Sequence, residues 1–287
     1  MNLNPTRLCR ARLLRRAVRT QNAISTYALF LFLFCSSSCS FCSSTPAQTL
    51  RIAAAADLQF VLPDLAAQYE KQTGAKLAIT YGSSGSFFAQ IQNGAPFDLF
   101  FSADLDYPKK LIQAGFADSD SLQIYAAGRL VLWLPPDSAL DPAAGLKVLL
   151  DPRIQKIAIA NPEHAPYGRA AAAALQNAGL YDQLKPKLVL GENISQAAQF
   201  VQSGNAQAGL IALSLALSPA MKNGKLWNVP PDRYPSIEQA VVVLKTLPNK
   251  QAAVSFLTFL KSPQARATFE RYGYSAPTSA EVFRPKP

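Results

Sequence analysis

Three serines and two glycines stand together in Tyr81-Gly82-Ser83-Ser84-Gly85-Ser86, between a β-like run at 77–81 and a helical pattern at 86–93. Glycine lets a backbone approach a ligand closely. Serine caps a helix or donates a hydroxyl. The first turn of a helix adds unpaired N–H groups and a partial positive charge. The combination suits an anion, and it is equally the composition of an ordinary capped strand-to-helix turn. Three more junctions share its small, polar character: Ala56-Asp57, Pro166-Tyr167-Gly168 and Asn193-Ile194. If all four face one cleft, a ligand with several acceptor oxygens meets neutral N–H and hydroxyl donors, and no cationic pocket is needed. One junction alone says little, because every doubly wound fold has them; the argument rests on their number.

Covalent chemistry finds less support. His164, the only histidine, lies between Glu163 and Pro166 with no cysteine and no evident serine partner. It reads as a turn residue with a local hydrogen bond. Asp98 and Asp104 form a nominal carboxylate pair, but their places at a strand and a helix start give them strand-end and capping roles. Phe87, Phe88, Phe97, Phe100 and Phe101 read as core, and Trp133 and Trp227 as packing or hinge residues.

The elements that must position the junctions alternate. A strand at 50–56 leads to Asp57 at the N-cap of a helix marked by Leu58, Val61, Leu62, Leu65, Ala66 and Tyr69, which ends at Gly74. Strand 77–81 and helix 86–93 follow, then strand 97–101 and a helix to 112 capped by Ser102-Ala103-Asp104. Three βα units in a row predict a mostly parallel sheet flanked by helices. Strand-like runs at 122–127 and 129–134, with Gly128 between them, mark the crossover into a second lobe. That lobe reads as a short helix at 146–150, strands at 156–160, 187–190 and 208–213, helices at 169–178 and 194–203, and a short helix or turn at 214–218. Strand 238–244 returns the chain to the first lobe, and helices at 248–260 and 263–271 close it. The expected class is therefore α/β with two lobes. Residues 48–128 and 238–287 make the first and 129–237 the second, with a hinge at the two crossings and a ligand cleft at the strand ends.

Residues 1–47 are unlike the rest. Six arginines without an acid, a short apolar run at 27–35 and a serine-rich stretch ending Ser44-Thr45-Pro46-Ala47 follow the order of a secretory signal peptide. The apolar run is about half of a membrane span, and Thr45 and Ala47 place cleavage after Ala47. The arginine-rich head also resembles an organellar transit sequence, against which the compact apolar core argues. A lipid anchor on Cys35, Cys39 or Cys42 is the alternative, although none has a leucine three residues before it. All four cysteines lie in this segment, so the remaining chain has no disulfide, thiol nucleophile or cysteine metal site. Six of the 28 basic residues leave with it and none of the 18 acidic ones, leaving 22 against 18. That mild excess, without a Lys/Arg run, removes the main support for nucleic-acid binding and still favours a small anion.

From Leu50 to Tyr274 the chain resembles the periplasmic molybdate-binding proteins of ABC transport. The likeness rests on Ala53-Ala54-Ala55-Ala56-Asp57-Leu58, Gly82-Ser83-Ser84-Gly85 and Asn93-Gly94-Ala95-Pro96-Phe97-Asp98-Leu99-Phe100. It continues through Ser102-Ala103-Asp104, Asn161-Pro162-Glu163-His164-Ala165-Pro166-Tyr167-Gly168, Gly191-Glu192-Asn193-Ile194-Ser195-Gln196-Ala197 and Arg271-Tyr272-Gly273. The resemblance implies a type II-like periplasmic binding protein fold, two lobes closed on a tetrahedral dianion, molybdate or tungstate. It implies a monomer that hands the anion to an ABC permease of the inner membrane, with no cofactor, catalysis or nucleic acid. By position, Ser84 supplies a hydroxyl and an N–H, while Tyr167 and Ile194 supply backbone N–H groups. All three touch oxyanion oxygens, and no residue coordinates the metal atom. Ala212 falls where some members place a tyrosine hydroxyl, a contact for which Tyr167 is the substitute.

Asp57 departs from the family, which usually has Ser, Thr or Asn there. A carboxylate about 4 Å from a unit charge costs about 4 kcal/mol at an effective dielectric near 20, and a dianion doubles that. A micromolar affinity amounts to only about 8 kcal/mol. Three arrangements avoid the conflict: Asp57 turns away to cap its helix while its N–H donates, it is protonated in the complex, or the ligand carries a proton or positive charge. The first two together are the expectation, and Asp57→Asn should then tighten anion binding or flatten its pH dependence. Three rival functions remain: the same fold holding sulfate, phosphate or an organic anion; an enzyme using Asp57 or Ser84, which lacks a base; and a ligand-free periplasmic interaction protein, which failure to bind any anion would favour.

Overall fold

The computed structural model describes residues 49–246 and 250–277. The signal segment read at 1–47 lies outside them. Three βα units open the described chain: β1 (Thr49–Ala55) with α1 (Val61–Thr73), β2 (Lys76–Gly82) with α2 (Ser84–Gln92), and β3 (Leu99–Ser102) with α3 (Asp106–Gln113). Helix α1 buries the predicted stripe of Val61, Leu62, Leu65, Ala66 and Tyr69 and stops at Gly74, whose φ of 72° is left-handed. Its start differs from expectation. A 3₁₀ turn, Ala56–Leu58, stands between β1 and α1, so Asp57 lies inside that turn and caps nothing with its side chain. Helix α2 begins two residues earlier than the pattern placed it, with Ser83 as N-cap accepting the Ser86 N–H.

Strands β4 (Gln123–Gly128) and β5 (Leu130–Leu134) meet at Arg129. Beyond them come β6 (Ile157–Ala160), α4 (Pro166–Asn177), α5 (Tyr181–Leu184), β7 (Leu188–Gly191), α6 (Ile194–Gln202), β8 (Ala208–Ala212), α7 (Leu213–Ala216) and β9 (Lys225–Asn228). Strand β10 (Ile237–Val243) and helices α8 (Gln251–Leu260) and α9 (Pro263–Arg271) follow. The four-residue α5 and β9 are too short to show a period and were not expected.

Two five-stranded sheets result, in the orders β2-β1-β3-β10-β4 and β7-β6-β8-β5-β9. Both are mixed. In the first, β1 runs parallel to β2 and β3, while β10 runs antiparallel to β3 and β4. In the second, β6 runs parallel to β7 and β8, while β5 runs antiparallel to β8 and β9. Parallel pairing needs a crossover helix between strands, and only the βα repeats supply one. Strands β5 and β10 arrive from the other sheet and pair antiparallel. The central strands β3, β5, β6 and β8 are buried throughout and read as nearly continuous apolar runs, whereas the edge strands β2, β7 and β9 are half exposed. On β1, Leu50, Ile52 and Ala54 enter one core and Ala53 another, together with Phe100 and Val242.

One buried charge ties the start of β3 to β1. The Asp98 carboxylate accepts the Arg51 backbone N–H at 2.8 Å, its Nε at 3.0 Å and its Nη2 at 2.7 Å. Asp98→Ala leaves that N–H without its acceptor and is expected to lower stability by about 2 kcal/mol. Read by calorimetry, this is a fall in Tm of roughly 4–8 °C for a chain of this size.

Candidate functional site: a cavity of helix N-termini

The four junctions line one narrow cavity. Asp57 reaches it from the end of β1, Ser84 from β2, Tyr167 from β6 and Ile194 from β7. Each of α2, α4 and α6 begins at the wall, where first-turn N–H groups have no partner within their helix. Helix α4 opens on Pro166, whose missing N–H costs nothing at that position. Its next turn approaches β6 so closely that a Cβ on Gly168 would fall 2.3 Å from the Ala160 carbonyl oxygen. Helix α6 is capped by Asn193, whose Oδ1 accepts the Gln196 N–H at 3.0 Å. Ser84 Oγ accepts the Ala103 N–H at 3.0 Å, which leaves its own proton to donate. Among the described residues, no cluster of three His, Cys, Asp or Glu side chains is placed to hold a metal ion.

The rim joins the two halves. The Gly85 N–H donates to the His164 carbonyl at 2.9 Å. Glu192 Oε1 accepts from Ser86 Oγ at 2.7 Å and Ser83 Oγ at 3.1 Å, and Oε2 accepts from Asn193 Nδ2 at 2.7 Å. Burial pushes the Glu192 carboxyl up, but the hydrogen bonds from Ser86, Asn193 and Ser83 outweigh it and hold the group below its ordinary value. Asp104 caps α3 as expected, accepting the Tyr107 N–H at 3.1 Å, and also forms an ion pair with Arg169 across the cleft. His164 sits at the rim with Nε2 2.9 Å from the Glu192 carbonyl oxygen. Its backbone N–H also makes the expected local turn bond, to the Asn161 carbonyl at 3.4 Å.

Asp57 is the unusual wall residue. It is completely buried. Its Oδ2 accepts from Gln239 Nε2 at 2.5 Å, from the Tyr274 hydroxyl at 2.9 Å and from the Tyr167 hydroxyl at 3.3 Å. Its backbone carbonyl accepts from Ser214 Oγ and the Tyr274 hydroxyl, each at 2.9 Å. Oδ1 has no hydrogen-bond partner among the described residues. The helix-capping role is therefore overturned: Oδ2 is held among two phenols and an amide, and neither oxygen caps a helix. The Tyr167 hydroxyl, expected to donate to the ligand in place of the contact missing at Ala212, is spent on this cluster. A Cβ on Gly128 would fall 2.1 Å from it, so glycine there makes its room. Ala212 is buried at the end of β8 and is not part of the cavity wall.

Gln239 and Tyr274 were not singled out from the sequence. The available signal was a polar residue within the otherwise apolar run Ala240-Val241-Val242-Val243 and its approach. Burial pushes the Asp57 carboxyl from an ordinary 3.8 up to about 6, against hydrogen bonds from Gln239, Tyr274, its own N–H and Tyr167 that pull it down. A folded-state value raised in this way makes protonation favour the native state. The advantage is whole below the ordinary value and is lost as pH rises through about 6. The melting temperature of the unliganded protein is expected to fall over that interval, corresponding to roughly 3 kcal/mol. Asp57→Asn should show no such step in scanning calorimetry.

Residues 50–275 match the family model described as a bacterial extracellular solute-binding protein. The chain belongs to this family. Among the relatives of this solute-binding protein is the molybdate-binding protein ModA of Rhodobacter capsulatus, 39% identical over 231 residues, covering 80% of this chain and 90% of that one. ModA of Azotobacter vinelandii is 40% identical over 238 residues, covering 81% and 92%. The solved structure of the Azotobacter vinelandii periplasmic molybdate-binding protein superposes with a TM-score of 0.75 at 38% identity, over 79% of this chain and 99% of that one. The two-lobed binding-protein architecture expected from the sequence is the architecture of this solute-binding protein. These relatives are binding proteins.

Proposed function

We propose that this solute-binding protein captures molybdate or tungstate in the periplasm and delivers it to the permease of an ABC importer. The observation that carries the reading is the convergence of Ser84, Tyr167 and Ile194, each at a helix start, on one small cavity whose only ionisable carboxyl is the buried Asp57. A tetrahedral dianion has acceptors in every direction and no protons to give. It is matched by N–H and hydroxyl donors fixed in place, without a counter-cation. Relatives at about this similarity named as molybdate-binding proteins support the choice of anion. Residues 48–128 with 238–287, and 129–237, act as the two lobes, and the anion stabilises their closed arrangement because only that arrangement makes all the contacts. The protein works as a monomer, exported by the signal at 1–47, and carries no cofactor and no catalytic step.

Calorimetry of the chain from residue 48 against molybdate, tungstate, sulfate and phosphate tests this. Tight binding of both metal oxyanions is expected. Sulfate is smaller and would leave donors too distant on one side, so heat with sulfate and none with molybdate or tungstate overturns the reading. Glu192→Gln, which removes the charge from the rim contact but keeps an acceptor, should weaken molybdate about fivefold at neutral pH, a loss of about 1 kcal/mol. Because the Glu192 carboxyl lies below its ordinary value, the advantage of the native residue is present above that value and is lost as pH falls through the lowered one.

A further inference from the structure

Resting on that reading of the cavity, we infer that the protein takes up one proton together with its oxyanion, and that Asp57 carries this proton on Oδ1 and donates it to an oxygen of the bound anion. The two carboxylate oxygens are in different situations. Oδ2 is saturated by Gln239, Tyr274 and Tyr167. Oδ1 is buried and unpartnered in a residue that lines the cavity. An unpartnered buried carboxylate oxygen beside a dianion is repelled as a charge, whereas the same oxygen protonated is one more donor in a wall of donors.

The surroundings supply nothing else to offset a negative charge. Three phenols lie nearest: Tyr167 on α4 and Tyr274 after α9, both bonded to Asp57, and Tyr125 on β4, whose hydroxyl donates to Gln239 Oε1 at 2.8 Å. Burial and the Asp57 charge hold all three well above the ordinary phenol range, so they stay protonated. From β10 comes the neutral Gln239, and Glu238 beside it falls on the opposite face of the strand. From α7 comes Ser214, and from α6 Ser195, whose Oγ donates to Gln59 Oε1 at 2.8 Å. Glu192 adds a further negative charge, engaged at the rim by Ser83 and Ser86. Arg169 is committed to Asp104, and His164 to the Glu192 carbonyl. No lysine, arginine or histidine bonds to Asp57 among the described residues. Burial, working against those hydrogen bonds, already moves the carboxyl up to about 6, so a further small push from an anion suffices to hold the proton at neutral pH.

The balance is simple. Ionised Asp57, one proton from solvent and the dianion give a carboxylic acid hydrogen-bonded to the dianion. Opening the cleft releases the anion and then the proton. Binding is thereby coupled to pH, in the sense that acid favours capture. An anion that brings its own proton, such as monohydrogen phosphate, donates it to ionised Asp57 and needs none from solvent.

The test is calorimetry with molybdate in paired buffers of different ionisation enthalpy, from about pH 7 to about pH 9, where the free anion carries no proton. Uptake is expected to approach one proton per anion, with affinity falling about tenfold per pH unit. Asp57→Asn should bind with no proton uptake and a flat profile. Tyr274→Phe removes a donor from the ionised form and should move the bend in the profile to higher pH. The proton count on the native protein is decisive even if Asp57→Asn does not fold. Tight molybdate binding with no proton uptake and a flat profile overturns the inference and leaves the oxyanion reading standing. No heat with any of the four oxyanions overturns both.

Discussion

Gly85→Ala is expected to weaken molybdate binding at least about a hundredfold, close to 2.7 kcal/mol, while leaving the unliganded protein folded. A Cβ at this position would stand 2.6 Å from both the Cβ and the carbonyl oxygen of His164. One of these is backbone, so no side-chain rotation relieves the clash. The same glycine donates its N–H to that carbonyl. The substitution thus presses directly on the contact that brings α2 and the turn before α4 together. In an open protein the two are apart, and alanine in the first turn of α2 is a better helix former than glycine. The free protein should therefore melt at the same or a slightly higher temperature. The penalty falls on the closed state, and apparent affinity drops by the fraction of molecules still able to close. Calorimetry gives the affinity, and a melting curve with and without molybdate gives the loss of ligand-induced stabilisation. Undiminished affinity would mean that the anion is held without the Gly85–His164 contact.

Ser84→Ala should cost roughly 2–3 kcal/mol of binding, about 30- to 150-fold, since on the proposed reading it removes a hydrogen bond to a charged ligand. It also strips the acceptor from the Ala103 N–H, so part of the loss appears as reduced stability of the unliganded protein. Comparison with its neighbours separates the two effects. Ser83 caps α2, and its loss is expected to cost about 1 kcal/mol of stability. Ser86 bonds to Glu192 at the rim and should behave like Glu192→Gln. Only Ser84 should show a loss of affinity well beyond its loss of melting temperature. On the proposed reading the three serines of this turn divide into a cap that also reaches the rim, a rim donor and a ligand donor. Equal effects at all three would remove Ser84 from the wall of donors.

The division of labour among those serines shows what could be read in advance. Which residues start helices is a local matter. Gly74 ends α1, Ser83 and Asn193 cap α2 and α6, and Pro166 opens α4, because backbone conformation and orphan N–H groups are settled within a few residues. The number of junctions, and the idea that they share a cleft, followed from the βα repeat. The mixing of each sheet did not. It depends on strands β5 and β10 crossing between sheets, and the period of a strand is blind to its direction.

Asp57 marks the limit most sharply. From sequence it was a polar residue before a helix, for which capping was the natural role. Its actual partners, Tyr167, Gln239 and Tyr274, lie 110, 182 and 217 residues along the chain. A carboxylate's charge state is set by burial and by the donors around it, and neither is a property of its neighbours in sequence. The alternation of strands and helices, the polar junctions between them and a leader-like composition at 1–47 were legible in the sequence, since these are local or compositional, although α1, α2 and α4 begin elsewhere than the pattern placed them. Only the tertiary structure decided that one oxygen of Asp57 is saturated and the other bare, because that required three distant elements to pack around one side chain.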